Sequence, residues 1–197
     1  ISEEYGRGSI VVVDTFLAPD AFKLLRSYAL DATIWHSTKV GGYLGAYIYD
    51  GFTPHLLHSI ATEMEGALPC IFDHGRHSLN MAWAYKYDSG LQKGIKLHVD
   101  EAAVNANFWL TDENSADEDA DLGGMTIFRQ EPPAGTPRSQ YNDEGMDHRA
   151  KLRELKSSSR GIAVVPHRAN RLVLFKSNLW HMTAVNMTFK RGYKNRR

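Results

Sequence analysis

The chain has 197 residues, of which 43% are hydrophobic, enough apolar material for one folded domain with a real core. Lys+Arg and Asp+Glu each number 23, so the net charge is zero and no global field exists to draw in nucleic acid or an anionic membrane. The single cysteine, Cys70, excludes an internal disulfide framework and a thiolate zinc cluster and fits a reducing compartment, and no apolar run approaches the roughly 20 residues that span a bilayer, so a soluble and cytoplasmic protein is expected.

In chain order, Ile10 to Val13 reads as a short apolar strand. Residues 18–32 place apolar side chains at 21, 25, 28 and 32 behind Pro19, the pattern of an amphipathic helix. A Gly- and Tyr-rich connection over 40–52 leads to a second helix over 53–68, with Thr53 as its expected cap and Pro54 as its first residue. Cys70, after Pro69, reads as a small buried residue at the end of that helix.

The period then switches from 3.6 to 2. Seven candidate strands follow: 81–87, 94–100, 104–110, 123–128, 161–166, 171–175 and the region of Trp180 and His181. Many short strands after a helical opening, without a helix between each pair, predict a mainly β protein with N-terminal helices, of jelly-roll type. An acidic run, 112–121, lacks the glycine and terminal Glu of a calcium loop and reads as solvated. A long polar insertion, 130–161, carries a short helix near 147–155 and is expected to be either a lid or a disordered segment.

Residues 94–100, "GIKLHVD", alternate apolar and polar, so as a strand they put His98 and Asp100 on one face, with Lys96 one step outward at the mouth of a pocket. Two such ligands and a third from a distant strand make a 2-His-1-carboxylate set that leaves coordination positions open on iron(II). His181, after the apolar run 171–175, is the candidate third ligand. Asn105 and Asn107 share a face with Trp109, which makes sense if the interior they face is polar. Arg191, Arg196 and Arg197 then supply cations able to grip a carboxylate. His74 and His77 lie in a loop-like stretch without a partner carboxylate and read as solvated.

Taken together, "HVD", "GGMTIF", "NRLVLFKSNLWH" and the closing "GYKNRR" resemble the iron(II)- and 2-oxoglutarate-dependent dioxygenases, in their prolyl-hydroxylase-like branch. The resemblance runs from about Trp83 to Arg197. It implies a double-stranded β-helix, a jelly-roll or cupin-like barrel backed by helices, in a single oxygenase domain over 1–197. Residues 1–79 would be the helical support and 80–197 the barrel core. It also implies iron(II) held by His98, Asp100 and His181, with 2-oxoglutarate and O2 as co-substrates. Arg197, or Arg196 beside it, would anchor 2-oxoglutarate, and Tyr87, Tyr85 and Asn107 would make further contacts to it. Trp109 and Lys96 are candidate substrate contacts. In the family a final strand follows the anchoring Arg, whereas this chain starts without Met and ends on that residue, so trimming at both ends is expected.

The implied reaction is hydroxylation of a C–H bond in a protein side chain or a small molecule, with release of succinate and CO2. The family's halogenases replace the carboxylate ligand by a small residue, so an intact Asp100 points to hydroxylation or a related oxidation. Two other readings use the same barrel: a cupin-like, metal-dependent enzyme that is not an oxygenase, and a non-catalytic binding module. Nucleic acid is disfavoured as a partner, since only the basic cluster at 190–197 supports it. Oligomeric state is not legible.

Overall fold

The computed structural model describes residues 1–39, 43–87, 94–112, 115, 123–137, 141–142 and 146–183. Among them the chain runs α1 (Ser2–Gly8), β1 (Ile10–Val13), α2 (Pro19–Asp31), β2 (Ser37–Thr38), β3 (Tyr43–Tyr47) and α3 (His55–Ala67). It continues β4 (Trp83–Tyr87), β5 (Val104–Phe108), β6 (Gly124–Phe128), α4 (His148–Ser157), β7 (Ile162–Pro166), β8 (Leu172–Lys176) and β9 (His181–Thr183). The result is mainly sheet with a few helices, and no described helix is long and apolar enough to cross a membrane.

The strands form three antiparallel sheets, ordered β1-β8-β5, β2-β3-β4 and β7-β6-β9. The first and third face each other. Val173 and Phe175 of β8, Ile10 of β1, Met125 and Ile127 of β6 and Val165 of β7 interdigitate between them. The opposite face of the first sheet, with Val11, Leu172 and Leu174, packs on Leu25 of α2 and Ile60 and Met64 of α3. The third sheet's other side, through Phe128, meets Leu155 of α4 together with Leu97, Val99 and Trp180. Thus β8 is covered on both faces, which is why it reads as an unbroken apolar run rather than an alternating one.

Local chemistry explains the helix ends. Pro19 opens α2, where its missing N–H costs nothing and its fixed φ suits the first turn. Asp147 caps α4, its Oδ1 accepting from the backbone N–H of Arg149 and Ala150 at 3.0 Å each. At α3 the expectation fails: the helix starts at His55, Pro54 occupies the cap position in an extended conformation, and no side chain caps it. Thr53 therefore lies one residue too far out to serve.

Four further expectations need correction. Residues 43–47 are strand β3, paired with β4 from Tyr43↔Tyr87 to Tyr47↔Trp83, and cross-strand aromatic stacking holds a stretch whose glycine suggested a loop. Residues 94–100 alternate as expected, with Leu97 and Val99 buried and Lys96 exposed, but form no regular strand: they meet β9 through the isolated bridge His98↔His181 and a bond from the Thr183 N–H to the Ile95 carbonyl. Helix α1 was not expected. Cys70 is exposed rather than buried.

Glycine is required at the start of β6. Gly124 has φ +148, and a Cβ there would lie 2.2 Å from the carbonyl oxygen of Val165 and 2.9 Å from Cα of Pro166. A side chain would force β6 and β7 apart.

Candidate metal centre

The isolated bridge brings the predicted ligands together. His98 N–H donates to the His181 carbonyl at 3.0 Å, and His181 N–H returns the bond at 2.9 Å. The two residues therefore sit opposite each other, with ring centroids 4.2 Å apart. Asp100 reaches the same place because its N–H donates to the carbonyl of Ser177, in the turn between β8 and β9, at 3.1 Å. One ligand atom from each of His98, Asp100 and His181 lies within 4.8 Å of the others, a group able to hold a metal ion.

Each imidazole is oriented in the same way. Nδ1 of His98 lies 2.7 Å from the Lys96 carbonyl, and Nδ1 of His181 lies 2.8 Å from the Leu179 carbonyl. Those carbonyls only accept, so each Nδ1 donates to its carbonyl and each Nε2 is the nitrogen turned into the group. Both Nε2 atoms meet Asp100, with His98 Nε2 at 3.8 Å from Oδ1 and His181 Nε2 at 3.4 Å from Oδ2. The His181 ring is wedged edge-on against Phe175 at 4.9 Å and is 4% exposed, while His98 and Asp100 keep 26% and 20% of their side chains open. One side of the group is thus closed by the core, and the other admits a ligand.

The protonation states suit a cation. Burial, then the neighbouring His181, push His98 down to about 4, so its ring is neutral at physiological pH. Burial raises Asp100, but its hydrogen bond and charge interaction with His181, with His98 and Asn105 adding to them, bring it below the usual carboxylate range. A neutral His98 ring and an ionised Asp100 then stand ready for a cation beside Nε2 of His181. The donor set, nitrogen with one oxygen, suits a first-row transition metal rather than calcium or magnesium.

The other predicted residues divide. Tyr87 is buried, and Tyr85 beside it stands edge-on to Tyr43 at 5.3 Å. Burial, then the Tyr47 hydrogen bond and adjoining tyrosines, push Tyr85 well above the ordinary tyrosine range, so it stays a hydrogen-bond donor. Asn107 is half-buried on β5, and Trp109 is buried within the core between the two facing sheets, 5.4 Å from the His167 ring. Lys96 is exposed, and its carbonyl orients the His98 ring. Arg191, Arg196 and Arg197 lie outside the described residues. His74 and His77 are exposed, as expected of a solvated loop.

Two supporting residues escaped the sequence reading. Asn105 donates to Asp100 Oδ2 at 2.6 Å, although only its inward direction was legible. Asn142, in the polar insertion, accepts from the Val99 N–H at 3.1 Å and donates to the Val99 carbonyl at 2.7 Å, gripping the backbone between two ligands. Nothing in an isolated "YND" marks such a contact.

No family model and no curated protein matches the sequence. Solved structures do. A prolyl-4-hydroxylase from Pseudomonas putida superposes with a TM-score of 0.62 at 14% identity, covering 98% of this chain and 97% of that one. The non-heme α-ketoglutarate-dependent carbocyclase SnoK of nogalamycin biosynthesis gives 0.65 at 14% identity over 95% of this chain and 77% of its own. EctD from S. alaskensis, solved with 2-oxoglutarate and 5-hydroxyectoine, gives 0.64 at 16% identity over 95% and 70%. The chain has the fold of these enzymes. At such identities the likeness concerns the backbone, and the chemistry must be argued from the side chains.

Proposed function

We propose that the protein is an iron(II)- and 2-oxoglutarate-dependent oxygenase that hydroxylates a C–H bond of a protein side chain or small molecule. The observation that carries this reading is the convergence of His98, Asp100 and His181 within 4.8 Å, both Nε2 atoms turned to the carboxylate. Structural likeness to prolyl-4-hydroxylase, SnoK and EctD, whose descriptions name hydroxylation, α-ketoglutarate and 2-oxoglutarate, supports it. On this reading the facing sheets belong to a double-stranded β-helix within one oxygenase domain.

Bound iron(II) and 2-oxoglutarate would supply O2 activation, coupling loss of CO2 and formation of succinate to oxidation of the substrate. The chain's part is to hold and to exclude. His98, Asp100 and His181 would hold the ion and contribute one negative charge, leaving coordination positions for co-substrate and O2. Phe175 and the inter-sheet core keep water from the buried side. Arg197 or Arg196 would pair with the far carboxylate of 2-oxoglutarate. Tyr85 and Tyr87 on β4, with Asn107 on β5, would donate to its oxygens, and Trp109 and Lys96 would flank the substrate.

Adding iron(II) and 2-oxoglutarate to the metal-free protein under argon should produce a visible charge-transfer band. His98→Ala or His181→Ala should abolish it. A folded protein that binds iron(II) but shows no band with 2-oxoglutarate would be a metal enzyme of another class, and one that binds neither would be a binding module.

A further inference from the structure

We propose that Asn105 is a positioning residue for the metal centre: its side-chain amide holds one oxygen of Asp100, so that the carboxylate presents only Oδ1 to the ion. The inference rests on the metal-centre reading above and concerns how the carboxylate is used.

Asn105 projects from β5 into the space between the facing sheets and is 6% exposed. Its Nδ2 donates to Asp100 Oδ2 at 2.6 Å, and its Oδ1 accepts from the hydroxyl of Ser177, which is fully buried, at 2.8 Å. Both ends of the amide are therefore engaged. Turning it over would set a carbonyl oxygen against a carboxylate oxygen, a repulsive contact in a poorly solvated place. Ser177 acts twice, because its carbonyl also accepts the Asp100 N–H at 3.1 Å. Side chain and backbone of Asp100 are tied to the same turn.

The chemistry of the ligand gives this tie a purpose. A freely turning carboxylate can offer both oxygens to one ion and so take an extra coordination position. A charge-assisted hydrogen bond from an amide that is itself held stops that rotation. Oδ2 lies 3.4 Å from His181 Nε2 but already accepts the Asn105 bond, so Oδ1, 3.8 Å from His98 Nε2, is the oxygen left for the ion. One oxygen from Asp100, rather than two, would leave more of the ion's coordination positions to a co-substrate and O2.

The test is a titration of purified, metal-free protein with cobalt(II), read by visible absorption. Its band strength reports coordination number and its midpoint reports affinity. Asn105→Ala should weaken cobalt binding about 10- to 100-fold and change the band strength, as loss of an outer partner of a metal ligand does. Ser177→Ala should act in the same direction but less. In an Asp100→Ala background neither change should weaken binding further. Wild-type affinity and band strength in Asn105→Ala, or an equal loss with and without Asp100, would overturn the inference while leaving the metal centre standing. Should Asn105→Ala not fold, the Ser177→Ala pair decides by the same criteria. Wild-type protein that fails to bind cobalt, or binds it regardless of His181→Ala, would overturn the metal centre and this inference with it.

Discussion

At the scale of single residues, the centre is built from groups whose ordinary behaviour has been altered by their surroundings. His98 is the clearest case: burial and the His181 ring push it down to about 4, whereas in the unfolded chain it behaves as an ordinary histidine near 6.5. Between those two values the unfolded chain takes up a proton that the folded metal-free protein refuses. Stability contributed by a neutral His98 is therefore intact above pH 6.5, falls as the pH drops, and is fully lost only near 4. The span corresponds to on the order of 3 kcal/mol. Asp100 titrates lower still, so its own stabilising share is lost at the acid end of this window and below. Urea unfolding of the metal-free protein at pH 7.5 and 4.5 should show wild type losing roughly 2–3 kcal/mol more than His98→Gln, which cannot take the proton. Equal losses in the two proteins would mean that His98 is solvated like a surface histidine.

Among the elements, β6 shows what close approach of backbones costs in sequence freedom. Gly124 meets the Val165 carbonyl where a Cβ would stand, and its φ of +148 is unfavourable for any other residue. Gly124→Ala should destabilise the protein by on the order of 3 kcal/mol, measurable as a lowered thermal midpoint, because strain and backbone overlap add. A loss below about 0.5 kcal/mol would show that β6 and β7 can separate freely. Elements whose burial pattern matches a period were legible from sequence: α2, the body of α3, the alternation of β5 and the unbroken run of β8. Those decided by partners distant in the chain were not. β3 is a strand because β2 and β4 flank it, and nothing within 43–47 says so. Residues 94–100 carry a strand's alternation, yet their described pairing is irregular: the bridge His98↔His181 is flanked by bonds from the Thr183 N–H to the Ile95 carbonyl and from the Asp100 N–H to the Ser177 carbonyl, neither in the register of a regular ladder. The same limit applies to the site. The three ligands could be named from residue type and order, whereas Asn105 and Asn142 act through partners that only the fold supplies.

For the whole molecule, the telling feature is the insertion over 130–161, whose length left lid and disorder equally open. One face of it packs, through Tyr141, Met146, Leu152 and Leu155. Leu155 of α4 is 2% exposed against Leu97, Val99 and Trp180, and the Tyr141 ring stands edge-on to Trp180 at 6.4 Å, with its hydroxyl donating to Glu101 at 3.0 Å. Tyr141, Asn142 and α4 thus lie against the outer side of the segment that carries His98 and Asp100, and Asn142 bonds both backbone groups of Val99. A segment clamped from both sides, by His181 within and Asn142 without, holds its two ligands at fixed separation. Removing one clamp should loosen that separation without emptying the core. Asn142→Ala deletes two hydrogen bonds, about 1 kcal/mol each, and leaves the Val99 amide to water. Amide exchange at Val99 should then quicken by roughly 10- to 30-fold, and cobalt(II) affinity should fall with it, while Arg153→Ala on the exposed face of α4 changes neither. Faster exchange with unchanged affinity would place the geometry of the centre entirely in the inner clamp. Unchanged exchange would mean that packing around Leu155 and Trp180, rather than the Asn142 amide, holds the insertion down.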